Sequence, residues 1–339
     1  MSSDKVTSIQ VAQLAGVSQS AVSRVFTPGA SASRQTAAKV RKAADELGYR
    51  PNVLARAMVS GKSRIIGLVV AYLDNQFYPD ALEKLSSALQ ERGYQLLIFM
   101  AGKDAANIDN VVDDMLNYQV EGIISASVSM SSGIAERCSS VGVPIVFFNR
   151  SQDDRSRFSV TSDNYAGGFK VAEYLAGTGH KKIGYIAGWE QASTQIDREA
   201  GFKAGLAEHS LTIQARGVGN FTAEGAAEAA RIMFTQKKPP SAVFVANDHM
   251  AFSVIDTLRY ELKLRIPEDV SIIGYDDVPI ASWPAYNLST VRQRANTMVS
   301  ETVDIVLALV NNEPIPPKQI KIDAPLIIRG SCKALNAAI

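Results

Sequence analysis

The stretch Gly16–Phe26, GVSQSAVSRVF, is a short helical pattern with one apolar side and one polar side. Ala21, Val22 and Val25 recur at helical spacing, which predicts that they face inward. The other side holds only side chains that form hydrogen bonds: Gln19, Ser20, Ser23 and Arg24. A helix with so little apolar surface cannot build a core alone, so its role has to be inferred together with its neighbours.

A first helix is predicted just before this stretch. Thr7 and Gln10 fit a capping box, in which a hydroxyl at the N-cap is followed three positions later by an amide. Gly16 supplies the positive φ of a tight turn, and Ser18 can cap the second helix. The inward face of the first helix is predicted to hold Val11, Leu14 and Ala15. With so short a turn the two helices must cross steeply, as in a helix-turn-helix.

A third helix is predicted from about Ser33 to Leu47, where Gly48 ends it. Its apolar stripe comprises Ala37, Val40, Ala43, Ala44 and Leu47. Residues 1–64 carry ten Lys or Arg and three Asp or Glu, a net charge of +7, which leaves −6 for the rest of a chain whose total charge is +1. A small basic module on a larger acidic body indicates a polyanionic partner for the module.

The polar face of the second helix fits base recognition in duplex DNA. Amide, hydroxyl and guanidinium groups are the groups that hydrogen-bond base edges in the major groove. The alternative is an ordinary solvated face, but the basic surroundings and the turn geometry favour DNA.

The segment Arg50–Ser63 follows the third helix and is predicted to form a helix of barely two turns. Pro51 can begin this helix and Gly61 can end it, with Leu54 and Met58 one turn apart. So short a helix is marginal in water. It is either an inert linker or a segment that folds only in the presence of a partner copy and DNA.

The runs VAQLAGVSQSAVSRVF and KVRKAADELGYRPNVLARAM resemble the headpiece of the lactose/galactose-repressor (LacI/GalR) family of bacterial transcription regulators. The resemblance extends along essentially the whole chain. It implies that Gln19 and Ser20 choose bases, that Arg24 contacts base or phosphate, and that Met58 wedges into the minor groove. The DNA contacts that it assigns are Thr7, Ser18, Gln19, Ser20, Ser23, Arg24, Asn52, Ala55 and Met58.

This chain departs from the family pattern at three headpiece positions. Met58 replaces the usual leucine, and methionine is apolar enough to wedge but defines the geometry less tightly. Ser8 and Gln10 replace an apolar residue and an aspartate at the start of the first helix, so the groups that this end of the helix offers to DNA differ from the family pattern.

From Arg64 onward, apolar runs alternate with helical patterns. The predicted strands are Ile65–Ala71, Tyr94–Met100, Gly122–Ala126, Pro144–Asn149, Lys182–Ala187, Ala242–Ala246 and Val270–Tyr275. Strand–helix alternation with short loops predicts an α/β fold of doubly wound parallel sheets. About eleven strands are too many for one comfortable sheet, which favours two similar lobes.

The resemblance implies the same layout, a two-lobed core like a periplasmic sugar-binding protein behind an all-α helix-turn-helix headpiece. The chain is expected to cross between lobes near Ser162, Gln293 and Ala324. The predicted domains are a headpiece of residues 1–50, a hinge helix or linker of 51–63, and an effector-binding and dimerisation core of 64–339. Within the core, lobe 1 comprises 64–162 and 294–324, and lobe 2 comprises 163–293 and 325–339.

Polar and aromatic side chains follow the predicted strands, where ligands of such sheets bind. Aromatic rings can stack on the apolar face of a sugar, while planar polar groups bond its hydroxyls. The family pattern implies that Arg198 and Asp276 are the principal anchors. The expected effector-binding residues are Phe77, Tyr78, Asn149, Arg150, Ser193, Arg198, Phe221, Asn247 and Asp276.

Several of these residues have a plainer alternative. For Asn247 and Asp276 the alternative is that they cap a helix or fix a turn. Two nearby aromatic residues are not assigned to the ligand: Trp283 is more typical of a core or rim position, and Tyr275 is expected to have a structural role. Arg150 would add a second positive charge, which makes a sugar acid an alternative to a neutral sugar. A nucleobase is a further alternative.

Nothing in the sequence predicts an enzyme, a metal or a cofactor. His180, His209 and His249 lie far apart without metal-ligand spacing, and no nucleophile elbow is present. The rivals are a solute-binding protein of a transporter, which the basic headpiece opposes, and an enzyme on a doubly wound scaffold.

The expected setting is the cytoplasm. The beginning MSSDKVTSIQ lacks an apolar signal region, no run is long enough to span a membrane, and Cys138 and Cys332 are expected to be buried free thiols. The sequence does not show the tail of heptads that would hold a tetramer together, so a dimer is expected. The expected partners are double-stranded DNA with a palindromic operator, a small-molecule effector, most simply a carbohydrate, and a second copy of the chain.

Overall fold

Three short helices form the first of two units, Met1–Ser63 and Arg64–Ile339. These helices are α1 (Ser8–Ala15), α2 (Gln19–Phe26) and α3 (Arg34–Leu47). The structure, a computed structural model, describes residues 6–27, 30–50, 62–101, 105–127, 132–152 and 156–333. Asn52, Ala55 and Met58, with the rest of the predicted hinge helix, lie outside the described residues.

The predicted caps of the first unit are present. The Thr7 hydroxyl accepts from the Gln10 backbone N–H, and the Gln10 side chain accepts from the Thr7 N–H, so the capping box is complete. Ser18 caps α2 through the Ala21 N–H. Gly16 ends α1 at φ +64°, a conformation that glycine adopts without a Cβ penalty.

A small core of valine and alanine joins the three helices. Its buried residues are Val11, Ala12, Val22, Val40, Ala43 and Ala44. The prediction that Leu14 faces inward is wrong, because Leu14 is 48% exposed and Ala12 is buried in its place. Ala12 packs in the core that the three helices share, while Leu14 lies on the exposed side of α1.

The first lobe of the second unit is a six-stranded parallel sheet, which confirms the predicted α/β class. Its strand order is β11–β5–β4–β3–β1–β2, and β1 is flanked in register by β2 and β3. Helices α4 (Phe77–Glu91), α5 (Ala105–Asn117) and α6 (Ser132–Ser140) alternate with the strands. The strands are β1 (Ile65–Val70), β2 (Gln95–Met100), β3 (Gly122–Ala126), β4 (Ile145–Phe148), β5 (Phe158–Ser162) and β11 (Gln319–Ile322).

The second lobe repeats this architecture, with strand order β12–β10–β9–β8–β6–β7. All neighbouring strands are parallel except β12, which pairs antiparallel with β10. The strands are β6 (Ile183–Ala187), β7 (Ile213–Val218), β8 (Ala242–Val245), β9 (Ser271–Asp276), β10 (Ser289–Arg292) and β12 (Leu326–Ile327). The helices are α7 (Asn164–Gly177), α8 (Ser193–Glu208), α9 (Ala223–Phe234), α10 (Asp248–Asp256) and, packed on the first lobe, α11 (Ala295–Val310).

Three segments of the chain connect the two lobes side by side. The first leads from β5 to α7, the second follows β10, and the third follows β11. The Asp163 N–H on the first segment donates to the Ile322 carbonyl at the start of the third. The Ser162 hydroxyl at the start of the first segment donates to Gln293 Oε1 on the second at 2.8 Å. These hydrogen bonds make the three crossings one hinge at the base of the space between the lobes.

Glycines bring α7 and α8 into unusually close contact. A Cβ on Gly168 would lie 2.1 Å from the Arg198 carbonyl oxygen, and one on Gly201 would lie 1.9 Å from the Tyr165 carbonyl oxygen. The backbone of α8 therefore packs directly against Gly168 of α7, and the backbone of α7 packs directly against Gly201 of α8. This contact positions Arg198 on α8 against Asn164, the first residue of α7.

Both thiols are buried and free, as predicted. Tyr275 is fully buried and Trp283 is 52% exposed, so Trp283 is a surface residue rather than core. None of the helices in the described part of the chain is long and apolar enough to cross a membrane.

Candidate functional site

The recognition side of α2 is open to solvent in the described headpiece. Gln19, Ser20, Ser23 and Arg24 are all exposed, while Val22 is 1% exposed on the opposite side. The Gln19 amide donates to the Ser8 hydroxyl at 3.1 Å, which ties the start of α2 to α1. This polar face is preformed by the helix-turn-helix and has no core function of its own.

Thr7 and Ser18 have a structural role, since both cap helices. Their side chains stay exposed, so capping and a DNA contact are compatible. Ser18 and Ser20 hydroxyls lie 2.9 Å apart, and Arg24 Nε donates to the Ser20 carbonyl at 3.4 Å. The predicted DNA contacts on α2 thus form one continuous polar surface.

Arg198 and Asp276 meet at the centre of the second site, between the two lobes. Arg198 Nη2 lies 3.5 Å from Asp276 Oδ1, and both side chains are almost fully buried. Arg198 Nε donates to Asn164 Oδ1 at 2.8 Å, and Nη1 donates to the Ala246 carbonyl. The guanidinium also stacks 3.6 Å above the Tyr275 ring centroid. Arg198 is therefore held rigidly by its own lobe.

Asp276 is bonded from both lobes. Asn75, which follows β1, donates to Asp276 Oδ2 at 3.0 Å, and Gln293 in the hinge donates to Oδ1 at 2.7 Å. Burial raises the pKa of Asp276, and Arg198 opposes that rise most strongly. A ligand that bonds Asp276 would thus act directly on a contact between the lobes.

The residues after β4 form the opposite wall. Asn149 donates to the Tyr78 hydroxyl at 3.2 Å, and the Ser151 N–H donates to the Ser193 hydroxyl of the other lobe at 3.1 Å. Phe77 packs face to face with Phe148, with centroids 6.1 Å apart, and is only 3% exposed. Phe77 therefore supports the wall from within the lobe, and Tyr78 stands beside Asn149.

Phe221 and Asn247 border the site on the second lobe. A Cβ on Gly188 would lie 2.2 Å from the Phe221 ring, so only glycine lets this ring cover the end of β6. Asn247 caps α10 by accepting from the Met250 N–H, as the plainer alternative predicted. Its amide nitrogen is nevertheless buried without a partner among the described residues.

Unusual backbone conformations mark the strand ends at this site. Asn149 has φ +66°, Phe221 has φ +58° and Asp276 has φ +127°. Side-chain-bearing residues rarely adopt these angles, and they persist only where the surroundings impose them. At the predicted site, such angles are typical of functional strain.

Asp248 is a buried acid that the sequence did not assign to the site. It is fully buried at the start of α10, where it accepts from the Val278 N–H at 3.0 Å and the Thr290 hydroxyl at 2.6 Å. Burial, and then the nearby charge of Asp276, raises the pKa of Asp248 to about 8. Because no cation pairs with Asp248 among the described residues, it is the member of this acidic pair that takes up a proton.

This raised pKa predicts a pH-dependent stability of the core. An acid whose pKa is higher in the folded state stabilises it below its unfolded pKa, and that contribution is lost as pH rises toward about 8. The full chain should lose about 1–3 kcal/mol of unfolding free energy between about pH 5 and about pH 9, and Asp248→Asn should lose much less. Urea unfolding followed by tryptophan fluorescence checks this, because both tryptophans, Trp189 and Trp283, lie in the second unit, Arg64–Ile339.

Glu268→Gln is the matched control for this prediction, since it removes an exposed carboxyl from the same unit. The control should keep the wild-type pH dependence. An identical pH dependence in wild type and Asp248→Asn would show that Asp248 does not titrate in this range.

Several residues of the site were missed by sequence reasoning. All of them lie within five residues of a strand's end, a position that could have identified them. Tyr72 and Asn75 follow β1, Asn164 follows β5, Trp189 follows β6, Asp248 follows β8, and Gln293 directly follows β10.

Known proteins resemble both units. Residues 9–52 match bacterial regulatory proteins of the lacI family, and residues 172–332 match the periplasmic binding protein-like domain. The HTH-type transcriptional repressor PurR of Vibrio vulnificus is 28% identical over 330 residues, which cover 96% of this chain and 98% of that protein. The ribose operon repressor of Escherichia coli is 28% identical over 326 residues, covering 95% and 98%.

A solved structure shows the same arrangement of elements. The Lac repressor dimer bound to operator and the anti-inducer ONPF superposes with a TM-score of 0.88 at 26% identity, covering 98% of this chain and all of that one. These relatives are repressors, which confirms the prediction that the chain is not an enzyme. The chain therefore joins a helix-turn-helix domain of the lacI family of bacterial regulatory proteins to a periplasmic binding protein-like domain, and it is a DNA-binding transcriptional regulator with an effector-binding core.

Proposed function

We propose that this chain is a dimeric repressor whose affinity for a palindromic operator is set by a sugar or sugar derivative bound between the core lobes. The observation that carries this proposal is the set of buried polar atoms without partners in the described part of the site. These atoms are Asn149 Oδ1, Arg150 Nε and Asn247 Nδ2. Buried polar groups are normally satisfied, so this set indicates a ligand with several hydrogen-bonding groups.

A carbohydrate fits this chemistry well. Its hydroxyls both donate and accept, which matches one free amide oxygen and two free N–H donors. Arg198 and Asp276 offer further charged groups, and Phe221 and Tyr78 offer apolar faces. The ribose operon repressor among the relatives supports a sugar as well.

The coupling to DNA is proposed to run through the closure of the lobes. Direct contacts such as Asn75 with Asp276 and Ser151 with Ser193 hold the lobes together, and a ligand at Asp276 would change them. Only a ligand with different affinity for two lobe arrangements can shift their populations, and with them the spacing of two headpieces in a dimer. Residues 1–50, 51–63 and 64–339 would then serve as reader, hinge and sensor.

The experiment that tests this function combines operator selection with ligand screening. A random duplex library selected on the full chain yields the operator, and thermal-shift screening against sugars, sugar acids and nucleobases yields the effector. A hit that changes operator affinity supports the proposal. If only a nucleobase binds, the effector is a nucleobase and not a sugar. If the protein binds selected and random DNA with equal affinity in the presence of every ligand tested, the proposed function is refuted.

Arg24→Ala is expected to weaken operator binding by about 1–3 kcal/mol while affecting random DNA less, since Arg24 lies on the exposed face of α2. Fluorescence anisotropy with the selected operator and a scrambled duplex measures both affinities. Arg265→Ala, which removes an exposed arginine from the core, is the control and should bind as wild type does. Unchanged discrimination in Arg24→Ala would count against α2 as the reader.

A further inference from the structure

We infer that the effector carries an anionic oxygen group, a carboxylate or a phosphate, and that Arg150 binds this group. The inference rests on the proposed effector site and specifies the class of ligand that this site takes.

Arg150 is a buried cation without a counter-charge among the residues that the structure describes. Arg150 is only 5% exposed, and it forms no ion pair within the described part of the chain. Nη2 donates a long hydrogen bond of 3.4 Å to the Tyr72 hydroxyl, and the guanidinium lies 5.4 Å from the Trp189 ring centroid. Nε has no partner among the described residues. A buried charge in this state is unfavourable unless something else compensates it.

The other buried arginine of the site shows what compensation looks like. Arg198 has a carboxylate, a side-chain amide, a backbone carbonyl and an aromatic face around it. Arg329, on the border of the second lobe, is paired with Asp277 at 2.6 Å. Arg150 is therefore an exception, and the packing of the protein by itself does not explain its burial.

The acids nearest to the site are already committed. Asp276 is engaged by Arg198, Asn75 and Gln293. Asp248 is bonded to Thr290 and the Val278 N–H, and its raised pKa keeps it largely protonated near neutral pH. Among the described residues, two guanidinium groups thus lie near one ionised carboxylate, which leaves an excess positive charge for a ligand to neutralise.

Arg150 lies where closure of the lobes has its largest effect. Tyr72 contacts it from the first lobe and Trp189 from the second, and the next residue bonds Ser193 across the gap. The closed lobes remove water from the guanidinium, so an anion beside it is bound more strongly in the closed arrangement than in an open one. An anionic effector therefore has the differential affinity that a switch requires.

The test compares neutral sugars with their anionic derivatives on the full-length protein. The probes are glucose, glucuronate, gluconate and glucose phosphate, with galactose, galacturonate, ribose and ribose phosphate as further sets, and titration calorimetry measures each affinity. We expect at least one acid or phosphate to bind about tenfold to a hundredfold more tightly than its neutral parent. The acids and the phosphates distinguish the two sources of the anionic group.

Arg150→Gln should weaken binding of the anionic derivative far more than binding of its neutral parent and so abolish this preference, whereas Arg150→Lys should retain part of it. Arg265→Gln loses the same charge from a site that is 71% exposed and should behave as wild type. Without ligand, Arg150→Gln should unfold at the same or a higher temperature, because it removes an unpaired buried charge.

Four results would overturn the inference, and the last of them would also overturn the proposed function. One is tighter binding of a neutral sugar than of every anionic derivative, which leaves the proposed sugar-responsive function intact. Another is an anion preference that survives in Arg150→Gln. A marked loss of stability in Arg150→Gln would assign Arg150 to the architecture instead. If no probe binds and none alters operator affinity, the proposed function fails together with the inference.

Discussion

Replacing Arg198 with methionine is expected to abolish the effector response while leaving operator affinity close to that of wild type. The guanidinium anchors Asp276, Asn164 and the Ala246 carbonyl at the centre of the site, so its loss removes the main cation of the second lobe. The headpiece has its own core, so DNA binding does not depend on this side chain. Operator titrations with and without the effector measure both quantities.

The same replacement should lower the unfolding free energy of the core by about 3–5 kcal/mol, because it leaves Asp276 buried without its cation. The double variant Arg198→Met with Asp276→Asn should recover much of this loss but none of the effector response. Unfolding is followed by tryptophan fluorescence, which reports on the core. An intact response in Arg198→Met would place the effector elsewhere.

Gly168→Ala is expected to destabilise the second lobe by about 3 kcal/mol or more and to weaken effector binding. The added methyl carbon would meet the Arg198 carbonyl oxygen at 2.1 Å, and a helix backbone cannot move aside as a flexible side chain can. The two helices must separate, which displaces Arg198 from Asp276. Urea unfolding and calorimetric titration of the effector measure the two effects.

Gly67→Ala is the matched control in β1. Its methyl carbon would meet only side-chain atoms, the nearest being Met115 Cε at 3.3 Å, and methionine adapts easily. The control should lose far less stability and keep its effector affinity. Equal losses in the two variants would mean that the α7–α8 contact is less rigid than the geometry indicates.

Local features of the headpiece could be predicted from the sequence because they depend on neighbouring residues. The capping box of Thr7 and Gln10, the turn at Gly16 and the cap at Ser18 are all present. Leu14 was assigned wrongly because helical periodicity identifies a broad apolar face but does not show which part of it the crossing helices cover.

The candidate site could be predicted only in part. Asn149 and Asp276 were identified by their positions at strand ends, and the family pattern identified Arg198 and Asp276 as anchors. The structure brings Arg198 and Asp276 together. The partners that cross from the other lobe, such as Asn75 on Asp276 and Trp189 on Arg150, were not predicted. The effector contacts assigned to Arg198, Asp276 and the other expected effector-binding residues stay predictions, as do all the assigned DNA contacts, including those of Asn52, Ala55 and Met58.

By itself the sequence determined the class of the protein: alternating strands and helices specify doubly wound sheets, and local caps with basic charge specify a DNA-reading headpiece. Only the tertiary structure decided which buried charges are compensated. Arg150 and Arg198 are both arginines near strand ends, yet Arg198 is paired with Asp276 and Arg150 has no ion pair within the part of the chain that the structure describes. The reason is physical, because ion pairing depends on distances between residues that are far apart in the chain and meet only when the lobes fold.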